Sequence, residues 1–249
     1  MEIRGKTAIV TGGTGGLGRR ICLTLAKAGA NVALVYLKSQ TEAEGFAAEL
    51  CSLGPQVIAI QADITSQAGI DTMIQTTLRK FGRVDALVND AAYNRFIAYQ
   101  DLDTLDEDVW NHILHSNLTS PFLAMRAIAG AMTGEDGGRI VNVASIAGLN
   151  PSGSSIAYAV SKAGLIHLTR CMAVALAPRV LVNCVAPGFL EGTRMSDNLP
   201  PEFQERARQS SALRKAADKD DVADAVLTLI RTNSITGQTL VVDAGRVFH

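Results

Sequence analysis

Tyr158 and Lys162 stand four residues apart in the run Tyr158-Ala-Val-Ser-Lys162. On a helix the phenol and the ammonium would share a face, one turn from each other. A phenol has a free pKa of roughly 10, so near neutrality it exchanges protons poorly unless a nearby cation stabilises the phenolate. Lys162 is placed to be that cation. Ser145 closes the apolar run Ile140-Val-Asn-Val-Ala144, where a strand would present its hydroxyl at an edge. Together the three groups can protonate an alkoxide as hydride arrives at a carbonyl, and recover the proton in reverse. Alone, a Tyr–Lys pair at this spacing on a helix surface is worth only a few tenths of a kcal/mol and means nothing. Its meaning depends on the elements around it.

Those elements begin with Lys6-Thr-Ala-Ile-Val-Thr11, a short apolar run that reads as a buried strand. It leads into Gly12-Gly-Thr-Gly-Gly-Leu-Gly18 and then a helical pattern from Arg19 to Ala28. Glycines there let the backbone turn sharply and approach a ligand, and the following helix offers unpaired N–H groups to a pyrophosphate. Gly13, Gly15 and Gly18 fit the generic Gly-x-Gly-x-x-Gly spacing, in the strand-to-helix context a dinucleotide site requires. Ala30–Tyr36 is a second strand. An NAD-preferring fold places Asp or Glu just beyond it, on the adenosine ribose. This chain has Leu37-Lys38-Ser39 instead. Lys38 and Ser39 suit a 2′-phosphate, so NADP(H) is expected over NAD(H); the alternative for Lys38 is a solvated loop lysine.

Further along, a helix is expected from about Thr41 to Leu53, then a third strand, Gln56–Ala62, with Asp63 at its carboxyl end. Asp63 is placed either to cap the next helix or to bind adenine. Val84–Val88 is a fourth strand ending in Asn89-Asp90-Ala91-Ala92, and a helix-rich stretch from Asp106 to Met132 contains Asn117. The fifth strand delivers Ser145, the Tyr158 helix runs to about Leu176, and the sixth strand, Val180–Val185, stops at Pro187-Gly188. From Phe189 to Ala217 periodicity is poor and Pro200-Pro201 interrupts, which reads as a lid over the substrate. A last helix, Lys219–Arg231, precedes a seventh strand, Thr239–Asp243. Seven strands alternating with helices give an α/β protein, a doubly wound parallel sheet in one domain over residues 1–249.

Over essentially its whole length the chain resembles the short-chain dehydrogenase/reductase family, and within it the 3-oxoacyl-thioester (acyl carrier protein) reductases. The family's Thr-Gly-x-x-x-Gly-x-Gly cofactor loop is matched by Thr11, Gly12, Gly16 and Gly18, and its active-site Asn, Ser, Tyr and Lys by Asn117, Ser145, Tyr158 and Lys162. Asp63 matches the adenine-contacting acid, and Pro187-Gly188 the pair after strand six. The resemblance implies a Rossmann-type fold and an oxidoreductase that moves hydride between nicotinamide and a carbonyl or secondary alcohol. Tyr158 would be the general acid, Lys162 would lower its pKa and hold the nicotinamide ribose, Ser145 would bond the substrate oxygen, and Asn117 would hold a water leading to Lys162. Thr14, Leu17, Ile64, Asn89 and Ala91 would join the glycine loop around the cofactor, with Leu190 and Thr193 near the carboxamide. Where many relatives read Asn-Asn-Ala-Gly, this chain has Asn89-Asp90-Ala91-Ala92, and Gly15 stands where NADP-dependent relatives often carry Arg or Lys. The resemblance also implies a homotetramer or homodimer, although Ala175 replaces a Glu common in the helix many relatives use for tetramer contacts.

Composition narrows the partners. The net charge of −1, with charges interspersed, offers no basic field for nucleic acid. No apolar run in the sequence reaches the ~20 residues of a membrane span, so a cytoplasmic enzyme with a small-molecule substrate is expected. Cys22, Cys51, Cys171 and Cys184 lack metal-ligand spacing, which gives no metal site and predicts buried free thiols. Phe96, Ile146, Leu149, Phe189, Leu190 and Met195 are available for an acyl slot or for packing beneath the lid. Of two places where carrier-binding reductases keep basic residues, one is acidic here (Glu135, Asp136) and the other retains Arg179. A sugar, steroid-like or other small ketone therefore stands as the alternative substrate. A nicotinamide-binding sensor is the rival class, disfavoured because a pure binder has no use for a tuned tyrosine.

Overall fold

The computed structural model of the chain describes residues 1–248. Seven strands form one parallel sheet: β1 (Thr7–Thr11), β2 (Asn31–Tyr36), β3 (Val57–Gln61), β4 (Ala86–Asn89), β5 (Gly138–Val143), β6 (Val180–Pro187) and β7 (Thr239–Val242). Their spatial order is β3-β2-β1-β4-β5-β6-β7. The inner strands are continuous apolar runs because both faces of the sheet are covered. Successive residues alternate between the two covering layers. Ala8, Val10, Val32 and Leu34 pack under α1 (Gly18–Lys27), α2 (Gln40–Cys51) and α9 (Lys219–Arg231). Ile9, Ala33, Val35 and Leu87 pack on the other side, under α3 (Gln67–Phe81), α5 (Ser120–Ile128) and α6 (Ile156–Leu176).

Chain order reverses at β1, which pairs with β2 on one side and β4 on the other. Ligand crevices in such sheets open at the carboxyl ends of the two strands that flank this reversal. Here Thr11 of β1 lies in register with Asn89 of β4. The glycine loop and the Asn89–Ala92 segment therefore meet at one point.

Several elements differ from the sequence reading. The helix-rich stretch is four pieces: α4 (Glu107–Leu114), a π-helical turn over His115–Thr119, α5, and a 3-10 turn over Ala129–Ala131. The segment read as irregular from Phe189 to Ala217 contains α7 (Arg194–Asp197) and α8 (Pro201–Gln209). Pro201 opens α8 rather than interrupting it, because the first helical position needs no N–H donor. Glu202 in the first turn and Arg206 and Arg208 in the last complement the helix dipole. Cys22 and Cys184 are buried as expected, whereas Cys51 and Cys171 are exposed. They sit in the same helices as buried neighbours but on the outward side, which an apolar pattern alone does not resolve. One helix, α6, is long and apolar enough to cross a membrane by length and composition, contrary to the reading that no such run exists. It lies against the sheet as a core helix, with Leu165, Ile166, Met172 and Ala173 buried.

Candidate active site

Ser155 fixes where the central tyrosine stands. It is the N-cap of α6, and its hydroxyl accepts from the Tyr158 backbone N–H at 3.1 Å. The cap sets the first turn of α6, so Tyr158 and Lys162 both face inward and both are buried. β5 runs directly into Ser145, whose hydroxyl accepts from the Ala147 N–H at 3.2 Å. Burial pushes the Tyr158 phenol up to about 12, with the Ser145 hydroxyl pulling it down and the Asp90 carboxylate pushing it further up. Tyr158, Ser145 and Lys162 thus occupy one site, as their spacing suggested.

Lys162 is held at that site by the backbone. Its Nζ donates to the Val143 carbonyl at 2.8 Å and stands 5.7 Å from the Tyr158 ring centroid. Burial brings its ammonium down to about 8, opposed by Asp90 and Cys184. In this arrangement the Ser145 hydroxyl favours the phenolate. The backbone carbonyl of β5 holds the ammonium at the end of the strand that carries Ser145.

Asn117 lies in the π-helical turn, a distortion that recurs at functional sites because it removes backbone groups from the ordinary helical ladder. Its side-chain amide is fully engaged. Oδ1 accepts from the Tyr93 N–H at 2.8 Å, while Nδ2 donates to the Tyr93 carbonyl at 2.9 Å and to Ser161 Oγ at 3.1 Å. Asn117 therefore clamps the segment after β4 to α6, next to the catalytic turn. A water leading to Lys162 would have to use its backbone rather than its amide.

The glycine loop is shaped by contacts no side chain would permit. Gly12 has a φ of +71°, and a Cβ on it would lie 3.0 Å from the Ala91 backbone. Just before it, Thr11 Oγ1 accepts from the backbone N–H groups of Asp90 and Ala91 at 3.1 and 3.2 Å. These bonds lock β1 to the end of β4. A Cβ on Gly18 would meet the Gly12 carbonyl oxygen at 2.2 Å. The amino terminus of α1, with Leu17 at its N-cap, has no side-chain cap and no acidic residue in its first turn. With no side chain capping it, this terminus fits the pyrophosphate of a dinucleotide. Thr14, Gly16, Leu17 and Gly18 frame that seat.

Other expected contacts are placed with mixed results. Lys38 is exposed just past β2 and makes no ion pair among the described residues. Asp63 does not cap α3; Ser66 does, accepting from the Gly69 N–H at 3.1 Å. Asp63 Oδ1 instead accepts from the Thr65 N–H and hydroxyl, which lowers its pKa. Ile64 is half-buried beside it, packed against the core under α3 and α5. Asn89 donates to Asn142 Oδ1 at 2.8 Å across β4 and β5, leaving its own buried Oδ1 without a partner. Gly188 follows Pro187 against Asp243. Thr193 caps α7 in a reciprocal box with Ser196 and packs against Gly16, so the segment after β6 rests on the glycine loop.

The lid also reaches the phenol. Met195 of α7 places its sulfur 3.9 Å from the Tyr158 hydroxyl. Phe203 of α8 meets Phe96, from the segment after β4, edge to face with centroids 6.0 Å apart. Of the apolar residues considered for an acyl slot, Phe96 and Met195 border the site. Leu149 packs with Leu165 and Ile166, and Leu190 with the layer under α1. Sequence reasoning missed Phe203 as a site residue, and also Val143, whose backbone alone is used and which leaves no signal in residue type.

A model of the short chain dehydrogenase family matches residues 6–203. The chain belongs to that family. It is 36% identical over 246 residues to a 3-oxoacyl-(acyl-carrier-protein) reductase of Synechocystis, covering 97% of each chain. It is 35% identical over 249 residues to a hydroxy(phenyl)methylsuccinyl-CoA dehydrogenase subunit of Thauera aromatica, covering 99% of this chain and 98% of that one. The structure of an NADPH-dependent 3-quinuclidinone reductase from Rhodotorula rubra superposes with a TM-score of 0.89 at 28% identity, over 98% of this chain and 92% of that one. This family member is thus an oxidoreductase that acts on a carbonyl or secondary alcohol with a nicotinamide cofactor. The dehydrogenase fold, read from alternating strands and helices, is the one observed.

Proposed function

We propose that this short-chain dehydrogenase is an NADP(H)-dependent reductase of 3-oxoacyl thioesters. The observation that carries the chemistry is the Ser145–Tyr158 pair, its phenol buried beneath Met195, with Lys162 held on the Val143 carbonyl. Bound at the α1 amino terminus, the nicotinamide cofactor would supply the hydride. Tyr158 keeps its proton through neutrality because burial raises its pKa, so in the reducing direction it is a proton donor poised beside the substrate oxygen. Ser145 shares that oxygen and steers it toward the phenol. Lys162 carries its ammonium near the ribose position, and its proton is replaced through the backbone at Asn117. Met195, on the phenol in the closed lid, marks where the substrate's reacting carbon enters.

Lys38, exposed and unpaired at the end of β2, supports the 2′-phosphate, as does the NADPH dependence named for the Rhodotorula relative. The thioester reading is supported by the carrier-protein and CoA substrates named for two relatives and by the aromatic and thioether groups around the phenol. Asp136 is paired with Lys6, so the acidic corner near the Asn117 segment disfavours an acidic carrier more weakly than its sequence suggests. Val160 and Val174 are exposed on α6, which supports self-association into a homotetramer or homodimer. The test is NADPH oxidation with acetoacetyl-CoA beside a panel of simple ketones and sugars. Turnover of the thioester is expected; activity with other carbonyls alone would overturn the acyl assignment and leave the mechanism standing.

A further inference from the structure

Asp90 is an acidic side chain in the crevice that the mechanism above does not use. Its backbone N–H is held by Thr11, and its carboxylate packs against the start of α1, with Oδ2 3.0 Å from where a Cβ on Gly18 would sit. No hydrogen bond reaches that carboxylate among the described residues, and no ion pair does. Lys162, the nearest cation, donates its bond to Val143 instead. An uncompensated carboxylate thus lies beside the uncapped helix terminus that the pyrophosphate would occupy.

Asp90 is half-buried, and a pyrophosphate seated on the helix terminus would displace the water that still reaches its carboxylate; two negative groups brought together there favour uptake of a proton by one of them. We propose that Asp90 binds a proton together with the dinucleotide, so that cofactor affinity falls as pH rises. Burial already brings the Asp90 carboxyl up to about 7, with Lys162 pulling it down. An incoming pyrophosphate raises it further. Below about 7 the carboxyl is mostly neutral and adds no pH dependence; above it the free enzyme carries the charge and must surrender it on binding. The other titratable groups around Asp90 are Lys162 and Tyr158 on α6 and Cys22 on α1, each of which feels its charge. Arg19 on α1 is turned away, onto Glu42, Glu49 and the Phe46 ring of α2.

This inference rests on the reading of the crevice as a nicotinamide dinucleotide site. The test is isothermal titration calorimetry of the intact enzyme with NADPH from mildly acidic to mildly alkaline pH, in buffers of different ionisation enthalpy. The wild type should take up close to one proton per cofactor above neutrality, its affinity falling about tenfold per pH unit there. Asp90→Asn should lose both the uptake and most of the slope. Equal uptake in Asp90→Asn and wild type would overturn the role of Asp90. Failure of the folded wild type to bind NADPH or NADH at all would overturn the dinucleotide reading together with it.

Discussion

Gly18 and Gly45 both lie in helices, and the same substitution should act on them with opposite sign. Replacing glycine by alanine inside a helix gains about 1 kcal/mol from propensity. Gly45 is exposed within α2 and has nothing within 4 Å of where its Cβ would stand. Gly45→Ala should therefore stabilise the protein by about 1 kcal/mol, raising Tm by about 2–4 °C for a domain of this size. At Gly18 the same methyl would meet the Gly12 carbonyl oxygen at 2.2 Å and its carbon at 2.9 Å, both backbone atoms that no rotamer change can move. Overpacking costs about 1–3 kcal/mol, and a clash between main chain and Cβ belongs at the upper end. Set against the propensity gain, Gly18→Ala should lose about 2 kcal/mol, a fall in Tm of about 4–8 °C. It should also weaken cofactor binding, because the loop must open to relieve the contact. Urea and thermal unfolding followed by circular dichroism measure the first effect, and titration with NADPH the second. A Gly18→Ala protein at least as stable as wild type, with unchanged cofactor affinity, would refute the close approach as the reason for glycine there.

Tyr158→Phe should leave cofactor affinity near wild type while kcat falls by about 10²–10⁴, the range for losing a general acid; equal turnover would sink the assigned mechanism. Lys38→Asp should shift the NADPH-to-NADH preference in kcat/KM by about tenfold or more toward NADH, since a charge-assisted hydrogen bond is worth about 1.5–3 kcal/mol; an unchanged ratio would remove Lys38 from the phosphate site. Phe203→Ala should cut kcat/KM for a short 3-oxoacyl thioester about fivefold, through loss of an edge-to-face contact worth about 1 kcal/mol, and admit bulkier ketones; unchanged selectivity would show that the Phe96–Phe203 pair does not bound the substrate.

The seven strands and the helices between them, outside 106–132 and 189–217, were legible in the sequence, because burial on both faces of a parallel sheet writes short apolar runs that stand out between glycine and proline breaks. The sequence by itself also determined the glycine loop and the Ser145, Tyr158 and Lys162 set, since each depends on residue type at short spacing. Spacing did not reveal which groups act on which. That the Lys162 ammonium is held by the Val143 carbonyl, and that Asn117 spans from Tyr93 to Ser161, follows from packing between residues far apart in the chain. The segment from 189 to 217 was not legible as two helices, because α8 is polar on most sides and buries only Ala207. Its apolar signal was too weak for periodicity to show, and the contact of Met195 with the phenol exists only once the lid has folded back over α6. Asp90 was visible in the sequence as a departure from Asn. Only the tertiary structure made it an unpartnered charge at the cofactor seat, because the energy of a charge is set by its distance from water and from other charges, and the fold alone decides both.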